Sequence, residues 1–289
     1  MKYYQKIGWF FIIPSIIGFL GVILIPLIRG IYLGFTNYNL LKINEVRFIG
    51  FNNFIDILLH NPDFWKTSGF TLIFVMGTVS VSYLFGMLIA YLLNKDIKGR
   101  GFYRALLLIP WVIPTVVSAF SWRWIMNDQV GIINIFLKNI GIIKKPLLFL
   151  ADANMAKLTV IMVNSWKSFP FMTLVLLSGM QSIPNELYEA AELDGTNWFK
   201  SFIYITLPNL KGVSFIATIL LFIWTFNNFE TIYLLTMGGP ANATRVLSIL
   251  TYVVGFSSFK LGYASSISTI MMVFMTIIAI FYLRLLKVD

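Results

Sequence analysis

Apolar residues in this chain do not alternate singly with polar ones. They come in long blocks, and polar residues collect in the connections between them. Six blocks approach or reach the roughly 20 residues that a helix needs to span a bilayer. They lie near 7–28, 70–93, 104–126, 158–180, 212–235 and 264–284. Several contain Pro, Gly or Asn, which a spanning helix tolerates when neighbours satisfy the freed backbone groups. The pattern predicts an all-α polytopic membrane protein with six transmembrane helices, forming a single transmembrane domain over 1–289. The first block is too long for a signal-peptide core and no A-x-A site follows it, so it reads as a retained helix. In 50–65, Phe51, Phe54, Ile55 and Leu58 recur at helical spacing. That suits an interfacial helix or a packed loop equally.

Composition agrees with lipid as the solvent. The hydrophobic fraction is 58% and the mean hydropathy is +0.81, above the near-half apolar content of soluble domains. The net charge of +10 therefore reads as cations facing an anionic cytoplasmic leaflet rather than as a nucleic-acid footprint. Lys2 and Lys6 precede the first block, Arg284 and Lys287 close the last, and Lys95, Lys98, Arg100 and Arg104 crowd the second connection against Asp96. All fall on one side, so both termini are expected in the cytoplasm. Lys138, Lys144 and Lys145 would lie outside, in a longer loop where the positive-inside rule is weaker. Roughly 29–69, 127–157 and 236–263 would be outer loops.

The chain has no cysteine, which excludes disulfides and thiolate chemistry. Its one histidine, His60, sits in a polar-flanked loop and reads as a solvated surface residue. No phosphate-cradling glycine loop, zinc-binding helix motif or nucleophile elbow occurs. The chain is not expected to be an enzyme or to hold a cofactor or metal.

One connection runs against the charge pattern. The stretch NELYEAAELDG (185–195) holds Glu186, Glu189, Glu192 and Asp194, four of the chain's twelve acids. Ser182 is expected to cap a helix, with Pro184 in its first turn and Glu186 near the positive end of its dipole. Leu187, Ala190, Ala191 and Leu193 lie on or near one face, and Glu186 and Glu189 on another. Gly195 suits the helix end. Thr196 is expected to cap a second helix through Trp198, Phe199, Phe202 and Ile203, ending before Pro208. Such a short helical pair needs a partner to bury its apolar face. Acids disfavour anionic lipid, so a protein partner is expected.

The stretch ELYEAAELDGTNWFKSFIYITLPNLKG (186–212) resembles the EAA loop of binding-protein-dependent ABC transporter permeases. Its signature residues are Glu189, Ala190, Ala191, Gly195, Leu207 and Pro208. RALLLIPWVIP (104–114), LSGMQSIP (177–184), LTMGGPANAT (235–244) and FKLGYASSIS (259–268) resemble the carbohydrate-importing, maltose-permease-like branch in order and spacing. The resemblance implies the ABC type I importer permease fold in a six-span form, in a bacterial plasma membrane. It implies partners: a second related permease, two ATPase subunits that bind ATP and Mg, an extracellular binding protein that delivers a sugar, and no nucleic acid. In this family the EAA loop is a coupling helix seated in a groove of the ATPase. Glu186, Glu189, Ala190, Ala191, Asp194, Gly195, Leu207 and Pro208 are the expected coupling residues, and the outer loop GGPANAT (238–244) is an expected contact for the binding protein.

Polar groups at bilayer depth mark a second candidate site. The fourth block carries VNSWKSFPFM and the fifth WTFNNFETIY. They resemble the sugar-lining stretches of the maltose-permease-like members. On that likeness Asn164, Ser168, Phe171, Leu221, Thr225 and Asn228 fall at lining positions. Ser168, Phe171 and Thr225 stand where the pattern has Gly, Tyr and Asn, so the same sugar is not implied. Asn164 and Asn228 suit interhelical hydrogen bonding equally well. Lys167 and Glu230 are costly at this depth unless paired, solvated or near the interface, and one pairing open to them is with each other. An importer of another solute, such as glycerol phosphate, remains an alternative. So does a secondary transporter, though Glu230 is the one acid well inside a block and no internal repeat stands out.

Overall fold

The computed structural model describes residues 12–95 and 98–286. Lys2, Lys6, Asp96, Lys287 and the first residues of the 7–28 block lie outside them. The described chain is helical almost throughout. The long helices are α1 (Ile12–Gly34), α3 (Pro62–Asn94), α7 (Ala153–Gln181) and α13 (Leu261–Leu286). Between them run α2 (Asn52–Ile55, continuing through a π turn Asp56–His60), α4 (Arg100–Val112), α5 (Thr115–Ile125), α6 (Ile132–Asn139), α8 (Asn185–Leu193), α9 (Trp198–Asn209), α10 (Lys211–Phe226), α11 (Glu230–Thr236) and α12 (Leu247–Ser257). Four described helices are long and apolar enough to cross a membrane, and six spans result if α4–α5 and α9–α10 each count as one.

Those two pairs bend sharply, by 91° and 66°. The first bend has a local cause. Pro114 excludes α-helical backbone at Ile113, which sits at ψ 130. The carbonyl of Ile113 then has no helical partner, and the Lys167 ammonium of α7 donates to it at 2.6 Å. That bond corrects the pairing considered for Lys167: among the described residues no ion pair joins it to Glu230. A charged donor on an orphaned carbonyl satisfies both groups where water is scarce.

The described chain forms two compact units. One takes its residues from 1–66 and 250–276, the other from 67–249 and 277–289. In the first, Ser266 Oγ of α13 donates to the Gly34 carbonyl at the end of α1, at 2.7 Å. A Cβ on Gly262 would lie 2.2 Å from the Thr36 carbonyl oxygen, so only glycine allows this approach. Asn53 Nδ2 donates to the carbonyls of Gly34 and Thr36, and the ring of Phe35 packs on Phe48, Phe51 and Phe54. Segment 50–65 thus holds a short helix, α2, with Ile57 fully buried. His60 is exposed, with Nδ1 3.9 Å from Asp56 Oδ1.

In the second unit, α3, α7, α9 and α10 build one core from Met87, Ala90, Met172, Leu176, Met180, Leu210 and Leu221. Small residues set the helix spacing. A Cβ on Gly86 would meet Met172 at 2.9 Å, and one on Gly179 would meet Leu210 at 2.7 Å. Close approach at small residues is how helices associate in lipid, where apolar side chains gain little by leaving the solvent. α12 lies in a stretch expected to be an outer loop. Its Leu247, Ile249 and Leu250 are buried, so the apolar run VLSILTYVVGF makes a helix too short to span.

Candidate functional site

The acidic stretch is α8 together with the turn that follows it. None of its helical residues is buried. Its start differs from expectation: Pro184 stands at the N-cap position without a side-chain bond. Ser182 Oγ instead donates back to the Gly179 carbonyl, because its backbone still belongs to the end of α7. The stop agrees with expectation. Gly195 has φ +73 and its N–H donates to the Glu192 carbonyl at 3.0 Å, while Thr196 N–H reaches the Ala191 carbonyl at 2.9 Å. The cap of α9 is Asn197, whose side chain accepts from Lys200 N–H, one residue beyond the expected Thr196. Nor does α9 stop before Pro208. It runs to Asn209, with Pro208 near its end, just after the π turn Phe202–Thr206.

The faces of α8 also differ from the expected apolar stripe. Tyr188 and Ala191 turn inward and are half-buried, whereas Leu187, Ala190 and Leu193 are exposed, Leu193 at 89%. Tyr188 OH bonds the buried Thr206 Oγ1 at 2.9 Å, tying α8 to α9. Tyr91 of α3 meets Phe202 edge-on at 5.4 Å. Glu186, Glu189, Glu192 and Asp194 are all exposed. Glu189 and Glu192 also edge a recess of about 350 Å³ shared with Lys95 and Gln181. Leu207 and Pro208 are exposed on α9. The product is an acidic, leucine-tipped rod that faces the chain through Tyr188 and Ala191 and is otherwise exposed.

The polar residues of the fourth and fifth blocks come together where the helix breaks. Between α10 and α11 the chain leaves helical form at 227–229. Asn228 sits in that gap. Its Nδ2 donates to Asn164 Oδ1 of α7 at 3.1 Å and to Thr231 Oγ1 at 3.2 Å, and its carbonyl accepts from Ser248 Oγ at 2.8 Å. Asn164, Leu221 and Thr225 are buried within the chain, while Ser168, Phe171 and Asn228 are half-buried. In this conformation a solute could touch only the second three.

Two exposed residues absent from the expected lining set extend that surface. Phe171 packs on Trp224 at 4.8 Å and on Trp111 at 6.2 Å, and both tryptophans are about half exposed. Trp111 lies more than fifty residues from Phe171 in sequence, on the element just before the 91° bend. No periodicity along one helix could have paired them. Among the described residues no group of three His, Asp or Glu side chains is placed to hold a metal.

Comparison with known proteins gives a consistent answer. Residues 82–287 match the family model described as binding-protein-dependent transport system inner membrane component. The chain is 36% identical over 275 residues to the trehalose/maltose transport system permease protein MalF of Thermococcus litoralis, covering 94% of this chain and 92% of that protein. It is 31% identical to the galactooligosaccharides transport system permease protein GanP of Bacillus subtilis, covering 95% and 68%. Its fold matches a subunit of a bacterial ABC transporter involved in importing the acidic polysaccharide alginate, with TM-score 0.84, 22% identity and 99% of each chain covered. With helices fit to span a membrane among its described residues, this chain belongs to the family of binding-protein-dependent transport system inner membrane components, a multi-pass membrane permease.

Proposed function

We propose that the chain is one permease subunit of an ATP-driven importer for sugars or oligosaccharides and forms half of a translocation pore. The observation that carries this reading is α8: an exposed acidic helix on a rigid glycine turn, held to the rest of the chain by the Tyr188–Thr206 bond. A surface of that kind, uncovered within the chain, suits a groove on an ATPase subunit. ATP and Mg would be bound there, and this chain would hold no cofactor of its own. Glu189 would accept a charge-assisted hydrogen bond from the ATPase. Both termini would face the cytoplasm with α8. A second related permease would supply the opposite wall of the pore. A binding protein would dock outside, near the compact 236–245 loop that Thr236 and Thr244 fasten.

The sugar class is supported by relatives named for sugars and by the pairing of amides with aromatic rings. Amides match sugar hydroxyls as both donors and acceptors, and rings stack on apolar sugar faces. The polar break at Asn228 suits a pathway because non-helical backbone at membrane depth persists where protein or a wet cavity covers it. The test is sugar uptake and ATP hydrolysis by the complex rebuilt in vesicles with its binding protein. The reading expects ATP hydrolysis to rise only when binding protein and sugar are both present. Sugar uptake that ran without ATP would overturn it.

A further inference from the structure

The first unit holds a recess of about 450 Å³ that the transport reading leaves unused. That size lies within the range of small-molecule sites, about 300–1,000 Å³. Amide, charged and tyrosine side chains line it, from α2, the turn after α1 and the start of α13, and more of the surface they present is apolar than polar. Part of the wall is fixed in place. Asn61 Nδ2 donates to Tyr263 OH at 3.0 Å, and Tyr263 OH donates in turn to Asp56 Oδ2 at 2.9 Å. Asp56 Oδ1 is left to accept from something else, with only His60 Nδ1 nearby at 3.9 Å. Asn39 spends its oxygen on Leu41 N–H and keeps its two amide N–H donors. The side chains of Asn52 and Lys260 bond to no described residue.

The charges decide what fits. Lys260 disfavours a lone cation and Asp56 a lone anion, while the amides and charges set among the tyrosine rings disfavour a wholly apolar ligand. A neutral polyhydroxyl ligand meets all of these groups, because each hydroxyl both donates and accepts. Asp56 would accept, Lys260 and Asn39 would donate, Asn52 would do both, and the ring of Tyr38 lies alongside. We infer that this recess binds a saccharide unit, apart from the Asn164–Asn228 surface. The ligand class rests on the sugar-importer reading.

The chain has no cysteine, so Asn37→Cys places a unique thiol on it in the recess wall, outside the proposed sugar contacts. In the complete complex in nanodiscs, the rate of maleimide labelling of this chain is measured with millimolar maltose, trehalose or galactobiose, and with glycine betaine as osmolyte control. The inference expects at least one disaccharide to slow labelling by about threefold, as occupancy at twice the dissociation constant requires. Betaine should have no such effect, and Lys260→Ala should remove the protection. Labelling unchanged by all three sugars would overturn the inference. So would protection that needs only sugar-free binding protein, which would make the recess a protein-docking surface. Sugar-stimulated ATP hydrolysis in the same sample reads the importer function separately, so each idea can fail without the other.

Discussion

Gly195 ends α8 in a backbone conformation that favours glycine. Its φ of +73 lies in the left-handed region, and open space surrounds its Cβ position. A side chain there would clash with nothing, so its cost is backbone strain of about 1–2 kcal/mol. That strain falls on the turn that ends α8. Gly195→Val should therefore leave membrane abundance near normal and lower coupled uptake by about tenfold, a factor worth roughly 1.4 kcal/mol. Quantitative blotting beside transport assays checks this, and normal uptake would remove Gly195 from coupling. Asn228 poses a different question, since its bond to buried Asn164 suits both packing and solute contact. Interhelical hydrogen bonds in membranes average about 0.6 kcal/mol. Asn228→Leu should then alter sugar affinity or selectivity in uptake assays while the ATPase stays bound. Loss of the whole assembly would favour packing alone. Lys167→Met should expose the orphaned carbonyl at the bend. A charged hydrogen bond is worth about 1.5–3 kcal/mol, so a clear fall in the thermal midpoint of the detergent-solubilised protein is expected.

Among the elements, α8 is tied to α9. The Tyr188–Thr206 bond is the one side-chain hydrogen bond described between them. Tyr188→Phe removes it while keeping the ring. ATP hydrolysis should continue while uptake per ATP falls severalfold, measured on one vesicle preparation. An unchanged ratio would mean that the bond only fastens the helix. The same elements show what the sequence could and could not reveal. The apolar blocks, the acidic helix and its Gly195 stop were legible because each is local: periodicity, charge and one permissive residue. The caps were misread because Ser182 and Thr196 are good capping residues in isolation, yet Ser182 bonds back into α7 and Asn197 takes the cap of α9. Pro208 suggested a stop before it, but the helix carries it just after a π turn and ends one residue later. The Lys167–Ile113 bond, the Trp111–Phe171–Trp224 surface and α12 were hidden because they depend on tertiary contact. Asn164 and Asn228 were legible as polar residues at depth, but not as bonded to each other.

At the scale of the whole molecule, the chain looks incomplete in a consistent way. α1 is apolar, and its most apolar window has no buried residue. α8 carries an uncovered acidic face. Half-exposed tryptophans flank Phe171. Lipid can cover the first, but an acidic helix and a polar break call for protein. We therefore propose that this permease works only as part of an assembly. Native mass spectrometry of the tagged chain, purified gently from its own host, tests it most directly. A mass equal to one copy of this chain, one different permease and two copies of an ATPase is expected. A monomer or homodimer without ATPase, reproducible across mild detergents, would contradict it and leave NELYEAAELDG without a partner.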